Sequence, residues 1–189
     1  MGLCEGIISV GPKHEREDKY RMKIKQTVIF FILVLILAGC NTTIDQEKEE
    51  TAKVVENTLS SNEAAKEEAG NINFYLPFGA KIEKESPNNI IISKSSDTFI
   101  LFTNPQENKD SELLYKMAIS DNENLLKHGT FKENNRLGYY VIKEVPDTEK
   151  YELIVGVGGT KVTTQAELDD LADHAEMMMK MAASVKHKS

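Results

Sequence analysis

Apolar residues follow three patterns in turn along the chain. The first is an unbroken run from Val28 to Leu37 with no polar position. The second, residues 41–70, holds a short stripe of Val54, Val55 and Leu59 among eight acids, three lysines and no aromatic. Such a stretch buries too little apolar area to offset its ordering entropy. It predicts a flexible tether with at most transient helix, closed by Gly70, with a reach of ~30 Å if it is coil. The third pattern, from residue 71 to about 186, carries the periodicities of a folded domain.

In that domain Ile72 to Leu76 alternates and stops at Pro77, a strand followed by a Phe78-Gly79 turn. Lys81–Glu85 predicts a polar strand ending at Ser86-Pro87-Asn88-Asn89. Ile90–Lys94 and Thr98–Thr103 predict a hairpin through Ser95-Ser96-Asp97, halted by Asn104-Pro105. The spacing of Leu113, Leu114, Met117, Ala118, Leu125 and Leu126 predicts a helix over 110–126. Strands follow at His128–Lys132, Leu137–Val145, Tyr151–Val157 and Lys161–Thr163, with Gly158-Gly159 as a two-residue turn. Thr164-Gln165-Ala166-Glu167 matches a capping box. The helix expected after it places Leu168, Leu171, Ala172, Ala175, Met178, Met179, Ala182 and Val185 on one face. Short turns, not crossovers, join the strands. The expected class is therefore α+β, an antiparallel sheet covered by two helices.

The strand order and the early Leu76-Pro77-Phe78-Gly79 turn resemble the sandwich of the photosystem II PsbP and Mog1-like group. That resemblance implies a non-enzymatic binding or assembly scaffold and carries over no functional residue.

The apolar run has a second meaning. Arg21, Lys23 and Lys25 precede it with no acid between them. A basic flank before a short apolar core is the layout of a secretory signal peptide. Ala38 and Gly39 extend the uncharged run too little for the ~20 residues of a spanning helix. Leu37-Ala38-Gly39-Cys40 resembles the lipobox of bacterial lipoproteins. The resemblance implies a diacylglycerol on the Cys40 sulfur and cleavage before Cys40, with Leu37, Ala38 and Gly39 as peptidase recognition residues. The chain as a whole resembles small lipoproteins of Bacillus-type Gram-positive bacteria. Residues 1–21 carry Glu5, Glu15, Glu17 and Asp18, which do not suit a signal n-region. They are read as the product of a start assigned too far upstream of the expected one at Met22, the other reading being a genuine cytosolic extension. The expected organisation is 1–21 extension, 22–39 signal peptide, 40–70 lipidated cysteine and tether, and 71–189 globular domain.

Charge and composition narrow the function. At 189 residues a multidomain enzyme does not fit, and two cysteines, Cys4 and Cys40, do not make a disulfide scaffold. A net charge of −7 argues against nucleic-acid binding. Residues 40–189 hold 26 acids and 17 bases, so the expected partner membrane would be held through lipid and not through protein charge.

Candidate chemistry is sparse. Gly156 to Thr164 suggests a phosphate loop, but Thr160 and Val162 flank Lys161 where Gly and Ser or Thr are needed. Met177, Met178, Met179 and Met181 near His174 suggest a soft metal site, yet core packing explains them better, with Met177 and Met181 on a flanking side. His128, His174 and His187 fall in different elements, and Asp169, Asp170 and Asp173 suit a helix N-terminus. Tyr139, Tyr140, Tyr151 and Phe131 either line a ligand groove or fill the core. The expectation is no catalytic residue, no metal and no cofactor. The favoured function is a lipid-anchored module at the outer face of the cell membrane that binds an envelope protein or small ligand. The alternative is a hydrolase of an envelope polymer.

Overall fold

The computed structural model describes residues 43–188. Cys40, Leu37, Ala38, Gly39 and the segment expected to be a signal peptide lie outside the described residues. Three helices and ten strands make up the described part: α1 (Ile44–Thr58), β1 (Glu67–Ala69), β2 (Ile72–Phe74), β3 (Lys81–Ser86), β4 (Asn89–Lys94) and β5 (Asp97–Thr103) come first. Then follow α2 (Leu113–Ser120), β6 (Leu125–Glu133), β7 (Arg136–Glu144), β8 (Tyr151–Val157), β9 (Thr160–Ala166), α3 (Leu171–Ser184) and β10 (Lys186–His187). No described helix is long and apolar enough to cross a membrane.

The main sheet has seven strands in the order β3-β4-β5-β9-β8-β7-β6, antiparallel throughout. A small sheet, β1-β2-β10, lies beside it. The class is α+β. The β3–β4 and β4–β5 hairpins turn where the sequence expects them, pairing Ser86 with Asn89 and Lys94 with Asp97. Ser95 takes a left-handed φ of 54° to close the second turn.

Alternation divides the sheet into two faces. The inner face carries Ile90, Ile92, Phe99, Leu101, Tyr140, Ile142, Leu153, Val155 and Val162, all buried. They form one core with Val55 and Leu59 of the α1 segment and with Leu171, Ala175, Met178, Met179 and Met181 of α3. Two helices cover this face, but one of them is not the pair the sequence predicts.

The segment expected to be a tether begins with α1. Thr43 caps it in a reciprocal box: its Oγ1 accepts from the Gln46 amide and Gln46 Oε1 accepts from the Thr43 amide. Its stripe of Glu47, Thr51, Val55 and Thr58 turns inward, with Leu59 just beyond, 1% exposed. The Leu59 methyls reach to 3.0 Å from where a side chain on Gly138 would begin, so α1 ends hard against β7. The domain therefore starts near residue 43 and not at 71. Packing against α3 and the sheet supplies the stability that composition alone does not.

Other boundaries shift for local reasons. The helix expected over 110–126 is only α2, because Asn124 turns left-handed at φ 59° and Leu125 joins the ladder opposite Lys143. The expected capping box stays in β9, where Thr164 Oγ1 donates to the Thr98 carbonyl at 2.8 Å. Glu167 begins a short 3-10 turn, and α3 starts only at Leu171. Met181, expected on a flank, is fully buried in the core.

α1 and α3 run in the same direction. Glu47, in the first turn of α1, meets the Ala172 amide at the start of α3. Glu63, beyond the end of α1, lies 3.9 Å from Lys180 in the last turns of α3. One end of the main sheet thus gathers both helix N-termini and the β4–β5 turn. The other gathers their C-termini and the Gly158-Gly159 turn.

Candidate functional site

The outer face of the main sheet is only half covered. Leu114 and Ala118 of α2 pack on Tyr139, Val141 and Ile154, closing the region over β7 and β8. Beyond them the same face continues through Thr163 of β9, Ile100 of β5 and Ile91 of β4, which are successive register partners. None of the three is buried, and Ile100 is 42% exposed. Phe102 lies in the next row, with Lys161 Nζ 5.8 Å above its ring.

α2 adds to this open half. Glu112, just before it, and Tyr115 within it point towards β6, pairing with Lys132 at 3.6 Å and with His128 at 2.7 Å. Leu113 and Met117, one turn apart on the opposite flank, are 43% and 62% exposed. An open groove of about 380 Å³ runs beside Ile100, lined by Thr98, Lys150, Glu152, Thr163 and Gln165. The arrangement offers apolar contact area edged by hydrogen-bonding groups and charges of both signs. The sequence signal for it is Phe99-Ile100-Leu101-Phe102, a continuous apolar run where a half-buried strand would alternate.

The titratable groups are dispersed. His128 is exposed on the outer face, and its Nδ1 shares a 2.7 Å hydrogen bond with the Tyr115 hydroxyl. Burial, helped by the Glu112 charge, pushes the Tyr115 phenol up. His174 sits on α3, 3.5 Å from the Asp97 carboxylate and edge-on to Phe99 at 5.2 Å. His187 is exposed on β10. No two of these histidines share a cleft.

Asp169 and Asp170 lie in the 3-10 turn and Asp173 in the first turn of α3, where they face the positive end of the helix. Glu47 reaches the same end from α1. It is 7% exposed, its Oε2 has no partner, and the Ala172 amide donates to its carboxylate. Burial pushes the Glu47 carboxyl up, with Glu50, Asp169 and Asp173 acting in the same direction. Among the described residues, no three of His, Cys, Asp and Glu are grouped to hold a metal ion.

The aromatic candidates divide. Tyr139 and Tyr140 are buried on opposite faces, and Tyr140 stacks on Phe131 at 6.0 Å. Tyr151 is half-buried at the start of β8. The two central glycines offer no phosphate cradle. The Gly158 amide donates to the Leu137 carbonyl at 2.9 Å and the Gly159 amide to the Asn108 carbonyl at 3.3 Å. A side chain at either glycine would strike the 104–109 loop. Cys40, Leu37, Ala38 and Gly39 lie outside the described residues. No protein-family model matches the chain, and no curated protein matches it.

Proposed function

We propose that this chain is an extracytoplasmic lipoprotein, held at the outer face of the cell membrane by a diacylglycerol on Cys40, whose domain binds an envelope protein through the open half of its outer sheet face. The observation that carries the binding reading is the exposed group of Ile100, Leu113 and Met117 beside Phe102. Exposed apolar side chains on one face, edged by polar groups, favour an interaction site. The groove is open, which favours a protein surface over an enclosed small ligand. The dispersal of His128, His174 and His187 favours binding over catalysis, since a hydrolase needs convergent acid, base or nucleophile. The resemblance to the PsbP and Mog1-like group points the same way. The anchor reading rests on Leu37-Ala38-Gly39-Cys40 at the end of a basic-plus-apolar segment.

The test is a photo-crosslinking residue at Ile100 in the full chain, in the native membrane, with the same residue at Asn134 as a control on the β6–β7 turn. A specific protein adduct is expected from position 100 and absent from 134. Equal adducts from both, or none from position 100, overturn the reading.

A further inference from the structure

Phe78 is the most exposed large apolar side chain among the described residues, at 98%, while its neighbour Pro77 is buried. The turn is closed by the Ala80 amide donating to the Pro77 carbonyl at 3.0 Å, with Gly79 at φ +79°. It therefore presents the ring outward on a fixed loop. The run from Ile72 to Ala80 around it carries no charge.

Its place in the fold gives that exposure a direction. β3 leaves the turn at Lys81, which pairs with Ser93 near the end of β4, so Phe78 lies beside the β4–β5 turn. Across that turn Asp97 meets His174 in the first turn of α3. Ala172, half a turn earlier, meets Glu47 in the first turn of α1. Phe78 and the α1 N-terminus are thus at the same end of the main sheet. The opposite end is fixed by Ser86, Pro87 and Asn88 against the β1–β2 turn, where they line a common small cavity.

Only Asn41 and Thr42 separate Cys40 from Thr43, so the sulfur-bearing residue is within about 11 Å of the start of α1. We infer that, in the acylated protein, this end of the domain faces the lipid and the Phe78 turn enters the bilayer interface as a second, non-covalent contact. The inference rests on the proposed lipidation of Cys40. Asp45, Asp169, Asp170 and Asp173 share this end, so headgroup attraction does not drive the contact. Apolar area drives it, and the covalent anchor sustains it by raising the effective concentration of the ring at the surface.

The chain has no Trp, so Phe78→Trp is a sole reporter. Leu113→Trp, at the start of α2 near the opposite end, is the control. Each full-length variant is purified from bacterial membranes and its Cys40 acylation is measured by mass spectrometry. Each is then reconstituted into phosphatidylcholine–phosphatidylglycerol vesicles containing doxyl-labelled lipid. The expected result is blue-shifted emission and at least twofold quenching for the residue-78 reporter, and no quenching for the residue-113 reporter. Acylated protein whose residue-78 emission is unshifted and unquenched overturns the inference and leaves the anchor standing. Absence of lipid on Cys40 overturns both.

Discussion

The Tyr139 ring occupies the space where a side chain on Gly156 would stand. The two are register partners on β7 and β8, and the phenol lies across the glycine to donate to the Thr160 carbonyl at 3.2 Å. Tyr140 repeats the device on the inner face over its own partner, Gly129, approaching to 2.7 Å from the missing side chain. Two adjacent tyrosines thus fill both faces of the sheet, and each requires a glycine on the next strand.

Gly156→Ala is therefore expected to destabilise the domain by about 1–3 kcal/mol, as overpacking against a fixed ring does. Tyr139→Phe keeps the ring and loses the hydrogen bond, with an expected cost of about 1 kcal/mol. Urea unfolding of the two variants checks the order. A smaller loss for Gly156→Ala than for Tyr139→Phe would show that the ring moves aside freely.

The α1 segment belongs to the core. A chain beginning at residue 71 is expected to lose the cooperative thermal transition that a chain beginning at residue 43 retains. Leu59→Ala in the longer chain should cost about 2–5 kcal/mol, because the leucine is fully buried against Gly138. Calorimetry of the two chains decides it. Equal transitions would mean that α1 is a passenger.

Glu47 sets a pH dependence. Its carboxyl is held above the ordinary glutamate value of 4.5, chiefly by burial. A raised value means that the folded state binds the proton more tightly than the unfolded one. The group's contribution is full below 4.5 and is lost as the pH rises through its folded value. Glu47→Gln is expected to flatten that part of the stability profile and raise stability at neutral pH. Urea midpoints across the acid-to-neutral range measure it. An unchanged slope refutes the assignment.

If Cys40 carries the proposed diacylglycerol, Cys40→Ala abolishes both lipid attachment and the cut before residue 40. Metabolic labelling with an alkyne fatty acid, combined with N-terminal sequencing, reads both. Wild-type protein that stays unlabelled in cells whose other lipoproteins label would refute the anchor.

The strands were largely legible because their turns carry strong local signals. Tyr151–Val157 has the expected bounds, and Pro87-Asn88 and Ser95-Ser96 turn where expected. α1 was not legible, because its inward stripe is half polar: Glu47, Thr51 and Thr58 alternate with Ile44, Val55 and Leu59. Its amphipathicity becomes apparent only once α3 and the sheet supply a core for the stripe to turn into. The box at Thr164–Glu167 misled because the Thr164 hydroxyl has a stronger claim on Thr98 across the ladder. The open face was half legible. The run Phe99 to Phe102 signals a strand apolar on both sides, but sequence does not say that α2 packs over β7 and β8 and leaves Ile100 of β5 uncovered.

The pairing of α1 with α3 joins the first described helix to the last. Val55 and Leu59 share their core with Met178 and Met179, more than a hundred residues later in the chain. A polypeptide emerging from a ribosome or a membrane pore in N-to-C order cannot close that core until Ser184 is out. Until then the inner face of a nearly complete sheet stays open, with Ile92, Leu101 and Val155 exposed. Synthesis or export arrested before α3 would therefore release a species with an adhesive flat surface, and the last helix decides when the chain becomes safe from aggregation.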